Sequence, residues 1–429
     1  MVKIIKADGA AEYALIKQLK ERGVSDSRKV TDIVSAIVDN VRAEGDEAVM
    51  RYTAAFDCPS PEYYEVPREA IEKAVSECEP EFIQSVRKAA ENIRVYHEKQ
   101  KQNSWMETRE NGVMMGQRVR GMTRVGVYVP GGTAALFSSV LMNVIPARVA
   151  GVKEIIMATP PMKNGMANRN ILAAAAVAGV DRVFLAGGAQ AIAALAYGTE
   201  QIPQVDKIVG PGNVYVATAK RLVFGTVDID MIAGPSEIMI VADETADPAY
   251  LAADMMSQAE HDVLASSVLL TTSEDLAKQT DQQLFEQARE LERREFIAKS
   301  LEDYGAIILV DSIEQGIELA NELAPEHLEL CIENPISYIG KVDNAGSVFL
   351  GHYSPEPLGD YFAGPNHVLP TNGTARFSSP LSVDSFIKKS SFLYYPREAL
   401  EEVKDDVVRL ADAEGLTAHA NSVAVRFKK

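Results

Sequence analysis

The chain runs to 429 residues, of which 47% are hydrophobic and 24% charged, the balance of an ordinary folded protein and not of a disordered one. A formal net charge of −18 argues against nucleic acid or anionic membrane as a partner and leaves a small molecule as the default ligand. No apolar run approaches the ~20 residues that span a bilayer. The N-terminal MVKIIKADGAAEYALIKQLKERG lacks the apolar core and small-residue cleavage site of a signal peptide, so a cytoplasmic location is expected.

Length predicts two or three domains at ~150 residues each. Residues 1–120 read as mostly helical and strongly charged, and are expected to pack on the second of two α/β blocks. Within them, REAIEKAVSECEPEFIQSVRKAAENIRVYHEK (68–99) repeats apolar residues at helical spacing, with His97 expected on its surface. From about Arg124 the texture changes. The short β-rich runs RVGVYV, KEIIMA, DRVFLA and DKIVG alternate with SSVLMNVIPARVAGV, NRNILAAAAVAGV, AQAIAALAYGT and NVYVATAKRLVFG, which read as helices ended by glycine. Such alternation predicts βαβ units and a parallel sheet with helices on both faces.

A second alternating block follows: SEIMIVAD, PAYLAADMMSQAEHD, SSVLLTT, a long charged helix from about 273 to 302, AIILV, SIEQGIELANELA and HLELCIE. The blocks span roughly 121–235 and 236–350, and Gly234-Pro235 breaks the chain between them. Beyond 350 the sequence is rich in Gly, Pro, Ser and Asn until REALEEVKDDVVRLADAEG. There Leu400, Val403, Val407 and Leu410 make one apolar stripe, stopped by Gly415. A loop-rich segment feeding such a helix reads as an arm that buries its stripe on a partner.

Chemistry-bearing residues are few. Cys58, Cys78 and Cys331 are too scattered for a disulfide framework and form no C-x-x-C pair, so a metal would be held by His with carboxylate or amide oxygen. Cys331 is expected to fill a buried strand position. Gln258 and His261, in MMSQAEHD, are i and i+3 and share a helix face. Two readings stay open, a pair converging on one metal or a helix end with His261 set against the dipole. Asp360 follows Leu358-Gly359 in expected irregular backbone, as a ligand or as an Asx-turn. His367 is a ligand or a structural donor. His419 lies just past the terminal helix, with Glu414 five residues before it.

Neither G-x-G-x-x-G nor G-x-x-x-x-G-K-[ST] occurs. Instead VPGGTA (129–134), LAGGAQA (185–191) and VGPGNVY (209–215) each follow a strand and open a helix, exposing backbone N–H groups that favour phosphate. Three such turns point to a ligand crevice at the carboxyl ends of the strands. Finally, LAPEHLEL (323–330) sets Glu326 and His327 side by side between a helix and a strand. Adjacent residues of a regular strand face opposite ways. If both serve one site, the backbone at Pro325–His327 must be irregular.

These segments, with VGVYVPGG (125–132), LAGGAQAIAALAYGTE (185–200), KIVGPGNVYVATAKR (207–221), IDMIAGPSEIMIVAD (229–243), LGDYFAGPNHVLPTNGTARFSS (358–379) and EGLTAHANSVAVR (414–426), resemble the histidinol dehydrogenase family over essentially the whole chain. The resemblance implies an α/β fold of two incomplete Rossmann-like parallel-sheet domains, with a helical N-terminal segment and an extended C-terminal arm. It divides the chain into an NAD-binding domain at 121–235, a zinc and substrate domain at 236–380 and a dimerisation arm at 381–429. It implies a two-step, NAD-dependent oxidation of L-histidinol to L-histidine through the aldehyde, the last step of histidine biosynthesis. Zinc would be held by Gln258, His261, Asp360 and His419, leaving His367 a structural role.

Substrate contacts carry over to Ser236, Glu414 and His327 as well as to those ligands. NAD contacts carry over to Tyr128, Gln190 and Asn213. His327 would be the base of the hydride steps and Glu326 the activator of water, with zinc gripping the substrate's nitrogens as a template. The arm bearing Glu414 and His419 would complete the active site of the neighbour in a homodimer. Two rival readings remain, a zinc hydrolase with Glu326 activating metal-bound water and a two-domain binding protein without turnover. Mn²⁺ or Co²⁺ suits the same donors.

Overall fold

The computed structural model describes residues 1–22, 28–131 and 136–428. These fall into two compact units, 1–100 with 122–386, and 101–121 with 387–428. The chain opens with β1 (Lys3–Lys6), α1 (Ala11–Glu21), α2 (Arg28–Glu44), α3 (Asp46–Phe56), α4 (Arg68–Glu77) and α5 (Pro80–Glu98), then β2 (Trp105–Thr108) and β3 (Met114–Gly121).

The first α/β block comprises β4 (Arg124–Tyr128), α6 (Phe137–Val149), β5 (Glu154–Thr159), α7 (Arg169–Ala178), β6 (Arg182–Leu185), α8 (Gly188–Tyr197), β7 (Lys207–Val209), α9 (Val214–Val223) and β8 (Asp228–Ile229). Its sheet runs β6-β5-β4-β7-β8, every pair parallel. Alternate strand residues feed opposite cores: Ile155 and Met157 pack beneath α6 and α7, Ile156 and Ala158 beneath α8 and α9. Sheets covered on both faces need strands apolar on both sides, which is why these runs are continuously hydrophobic.

The second block comprises β9 (Glu237–Ala242), α10 (Pro248–Ala259), β10 (Ser266–Thr271), α11 (Glu274–Gln287), α12 (Arg294–Tyr304), β11 (Gly305–Leu309), α13 (Ile313–Leu323), β12 (His327–Cys331), β13 (Ser347–Leu350) and α14 (Glu356–Tyr361). With β1 it forms the parallel sheet β1-β11-β10-β9-β12-β13. The change of sheet falls between Ile229 and Glu237, across the Gly234-Pro235 break. Asp247 and Ser312 cap α10 and α13 through their side-chain oxygens. No helix among the described residues is long and apolar enough to cross a membrane.

Several expectations need correcting. Residues 1–120 are mostly helical, as expected, but only β1 and α1 join the second block. The stripes Val34, Ile37, Val38 and Val41 of α2, and Ile83, Val86, Ala89 and Ile93 of α5, enter the cores of the first block. Two helices per face leave that block's own apolar surface uncovered, and α2–α5 form the layer that closes it. The long helix from 273 to 302 is two helices, with a turn at 288–293 that lets Ile297 and Leu301 rejoin the core containing Leu276 and Leu284. His97 is fully buried: its Nδ1 meets the Ile93 carbonyl at 2.8 Å and its Nε2 lies 3.3 Å from the Asn366 amide nitrogen.

The second unit is an antiparallel sheet in the order β14-β3-β2, where β14 is Ile387–Tyr394, followed by α15 (Arg397–Ala413) and α16 (Thr417–Ala424). The polar residues of IKKSSFLY hid β14 from pattern reading. Val407 and Leu410 on α15, with Trp105, Met106 and Leu393 on the sheet, are exposed apolar residues of this unit.

Candidate active site

The Glu326-His327 pair sits at a break between α13 and β12. Helix α13 ends at Leu323, and Ala324 follows in the left-handed region (φ 55°, ψ 62°), a conformation that costs a non-glycine residue about 1–2 kcal/mol. Strand pairing resumes at His327, which opposes Ile238 of β9. Glu326 is therefore released from strand alternation and faces the same region as its neighbour. The irregular backbone expected at Pro325–His327 is present.

Glu237 fixes both residues. Its N–H donates to Glu326 Oε2 at 2.9 Å, its Oε2 accepts the Glu326 N–H at 3.3 Å, and its carbonyl meets His327 Nδ1 at 3.0 Å. A carbonyl only accepts, so Nδ1 carries the proton and Nε2 is the basic nitrogen. Glu237 is itself paired with Arg22 at 3.0 Å, both side chains being about 1% exposed. Burial lowers His327 to about 4, leaving a neutral imidazole at neutral pH. Burial raises Glu326 well above the carboxylate range, with the Glu237 and Asp360 charges adding to the rise.

His327, Glu329 and Cys331 share the face of β12 that meets α10. There His327 Nε2 lies 3.7 Å from Glu356 Oε1, and His327, Glu356 and Asp360 each offer one ligand atom, all within 4.8 Å of one another. Asp360 lies in α14 and not in irregular backbone; prolines at 355 and 357 start this short helix and set Glu356 and Asp360 one turn apart. His367 orients Asp360, its Nδ1 lying 3.1 Å from the Asp360 carbonyl and 3.6 Å from Oδ1.

Gln258 is the penultimate residue of α10, and His261 lies in the turn just beyond, with its N–H on the Gln258 carbonyl at 3.2 Å. The helix stops short of His261, yet the imidazole stays within electrostatic reach of both His327 and His367. Gln258 is completely buried, and neither its amide oxygen nor its nitrogen has a hydrogen-bond partner. Buried amides are rarely left so. An orphaned amide three residues before His261 adds an oxygen donor to the imidazoles and carboxylates above, a set whose chemistry fits a divalent cation. Ser257 ties the two helices, donating to Glu356 Oε2 at 3.2 Å.

Ser236 directly precedes Glu237 and is partly exposed, its carbonyl accepting from the Ser266 N–H at 3.0 Å. Glu414 and His419 belong to the second unit, where both are exposed. Tyr128 and Gln190 come together at the carboxyl end of the five-stranded sheet, where the Tyr128 hydroxyl accepts the Gly188 N–H at 3.1 Å. Gln190 is 1% exposed with both amide atoms unpartnered. Asn213 is exposed and caps α9 through its side-chain oxygen. In the neighbouring turn Gly210 has φ +116°, and a Cβ there would fall 2.0 Å from the Tyr128 carbonyl oxygen, so only glycine fits. Of the VPGGTA turn, residues 132–134 lie outside the described residues.

Sequence reasoning passed over Glu356, Glu237 and Arg22. Glu356 had a signal, since Pro355-Glu356-Pro357 opens a helix with Asp360 at i+4. Burial pushes Glu356 up to about 10, the Asp360 charge adding to it. Glu237 and Arg22 had none, because a pairing 215 residues apart leaves no local trace.

A family model described as "Histidinol dehydrogenase" matches residues 20–427. A protein of that description from Clostridium acetobutylicum is 56% identical over 428 residues, covering 100% of this chain and 99% of its own. One from Listeria innocua is 52% identical, covering 98% of each chain. The crystal structure of histidinol dehydrogenase from Elizabethkingia anophelis superposes with a TM-score of 0.92 at 41% identity, over 99% of this chain and 98% of that one.

Proposed function

The chain belongs to the histidinol dehydrogenase family, NAD-dependent oxidoreductases that take L-histidinol through its aldehyde to L-histidine, and from that premise we propose how its residues divide the work. His327 takes the hydroxyl proton as hydride leaves the alcohol carbon for NAD. Its neutral ring, with the proton parked on Nδ1, leaves Nε2 free to do so. Glu326 then takes a proton from the water that adds to the aldehyde while His327 returns its proton to the carbonyl oxygen, and the neutral His327 takes the hydrate's hydroxyl proton as the remaining hydride passes to a second NAD. One Glu326 oxygen is held by the Glu237 N–H and the other is left for water.

Zinc is proposed on Gln258, His261, Asp360 and His419 of the partner subunit. Bound there, it would grip the substrate's nitrogens and favour the ionised form of nearby carboxylates. The observation that carries this reading is the buried, unpartnered Gln258 amide, which follows Ser257, the residue bonded to Glu356 of the His327, Glu356 and Asp360 cluster. Ser236 and Glu414 orient the substrate, and Tyr128, Gln190 and Asn213 receive NAD. The exposed apolar residues of the second unit favour a homodimer whose arms exchange Glu414 and His419.

The test is NADH absorbance after mixing protein, L-histidinol and NAD, before and after chelation. Two NADH per histidinol, lost on chelation and restored by Zn²⁺, is the expected result; NADH formation indifferent to chelation would remove the metal. Mixing Glu326→Gln with His419→Ala protein tests the shared site. Re-associated subunits should regain activity that neither variant has alone, and failure to do so would place each site within one subunit.

A further inference from the structure

The nucleotide end of the first unit holds a carboxylate that the reading above leaves idle. Asp57 caps the C-terminal end of α3. Its side chain lies against the turn between β6 and α8, where a Cβ on Gly187 would fall 2.9 Å from each of its oxygens and 2.8 Å from Pro160 Cβ. Pro160 follows Thr159, the last residue of β5. Asp57 therefore stands at the carboxyl end of β5 although it comes from a helix outside the block.

The position has chemical meaning. The order β6-β5-β4-β7-β8 changes direction at β4, so a ligand crevice opens beyond the carboxyl ends of β4 and β7, with the end of β5 alongside. In a dinucleotide fold of this order an acidic residue at the end of the second strand binds the ribose hydroxyls. Here the second strand is β5, and it ends in Thr159-Pro160, neither of them acidic. Around the vacant role the polar atoms are unfilled. Asp57 Oδ2, Thr159 Oγ1 and both amide atoms of Gln190 are buried without a hydrogen-bond partner. Thr159 is 0% and Gln190 1% exposed. Burial pushes the Asp57 carboxyl up to about 6 against the pull of the Gly187 N–H, so the side chain is mostly ionised above neutrality.

We propose that Asp57 makes this site select NAD over NADP, its carboxylate accepting a hydrogen bond from the adenosine 2′-hydroxyl and repelling a phosphate esterified there. The inference rests on NAD binding at the Tyr128–Gln190 turn. It assigns a cofactor preference to a residue that the missing G-x-G-x-x-G fingerprint gave no reason to single out.

The experiment compares kcat/KM for NAD and NADP, at saturating histidinol, in wild type, Asp57→Asn and Asp57→Ser. Asparagine keeps the shape and the acceptor for Gly187 but not the charge. A hydrogen bond to a charged group supports a loss of about 10- to 100-fold for NAD. NADP should improve, so that the NAD/NADP ratio falls about 100-fold. In the unmutated enzyme, adenosine 2′,5′-bisphosphate should inhibit at least about 10-fold more weakly than adenosine 5′-monophosphate by the same reasoning. An unchanged ratio in active variants, or equal inhibition by the two nucleotides, would overturn the role of Asp57 alone. A wild type that forms no NADH from histidinol would overturn the NAD reading and this inference with it.

Discussion

Arg22→Met is the perturbation that reaches the proposed catalytic pair, Glu326 and His327, without touching it. The Arg22 guanidinium lies 3.0 Å from Glu237 Oε1, and both side chains are about 1% exposed. It also donates to the Leu264 and Leu19 carbonyls at 2.9 Å each. Methionine keeps the length and removes the charge. Glu237 is then a buried carboxylate without its cation, and breaking such a pair costs about 3–5 kcal/mol, against a total stability on the order of 5–15 kcal/mol.

The same Glu237 carboxylate receives the Glu326 N–H, so the loss propagates to the position of Glu326. Displacing a reacting group by ~1 Å costs about 100-fold in rate. Urea unfolding of metal-free protein, followed by circular dichroism, reads the first effect, and NADH formation reads the second. Arg22→Met with Glu237→Gln should recover more than half of the lost stability, because no buried charge remains unpaired. A single variant within about 1 kcal/mol of wild type, or a double variant no better than the single, would show that the Arg22–Glu237 pair does not hold this region together.

Glu326→Gln should slow oxidation of added histidinal more than the alcohol step measured in a single turnover; equal losses would end the division of labour between Glu326 and His327. Histidine-selective NMR of the metal-free protein should show the His327 ring staying neutral from pH 8 to 5. Its assignment follows from its absence in His327→Asn, and an inflection near the ordinary value of ~6.5 would contradict the burial argument. Since His327 is lowered to about 4, the unfolded chain binds the extra proton first as pH falls. This residue's contribution to the stability of metal-free protein is therefore lost between about 6.5 and 4.

The two parallel sheets were readable because each strand run is continuously apolar and each helix run carries its own glycine or cap. The N-terminal helices were readable as helices but not as to where they pack. An amphipathic stripe states that a face is buried, and does not state against what. Glu326 and His327 stood out through adjacency at an element junction, and Gln258 with His261 through i, i+3 spacing. Asp360 stands out in the sequence but reads as irregular backbone, since a helix of six residues offers too few turns for periodicity. His97 reads as a surface residue because its helix is charged, whereas its own face turns to Ile93 and Asn366. Arg22, Glu237 and Asp57 act through contacts far along the chain, which only the folded arrangement reveals.

In the proposed mechanism the imidazole at position 327 moves the substrate's protons while other residues hold the metal. Single-turnover NADH formation by His327→Asn, with zinc content measured on the same sample, tests it most directly. Full zinc content and a rate lower by about 10²–10⁴-fold are expected. A variant that keeps most of the wild-type rate, or one that loses its zinc together with its activity, would contradict that mechanism.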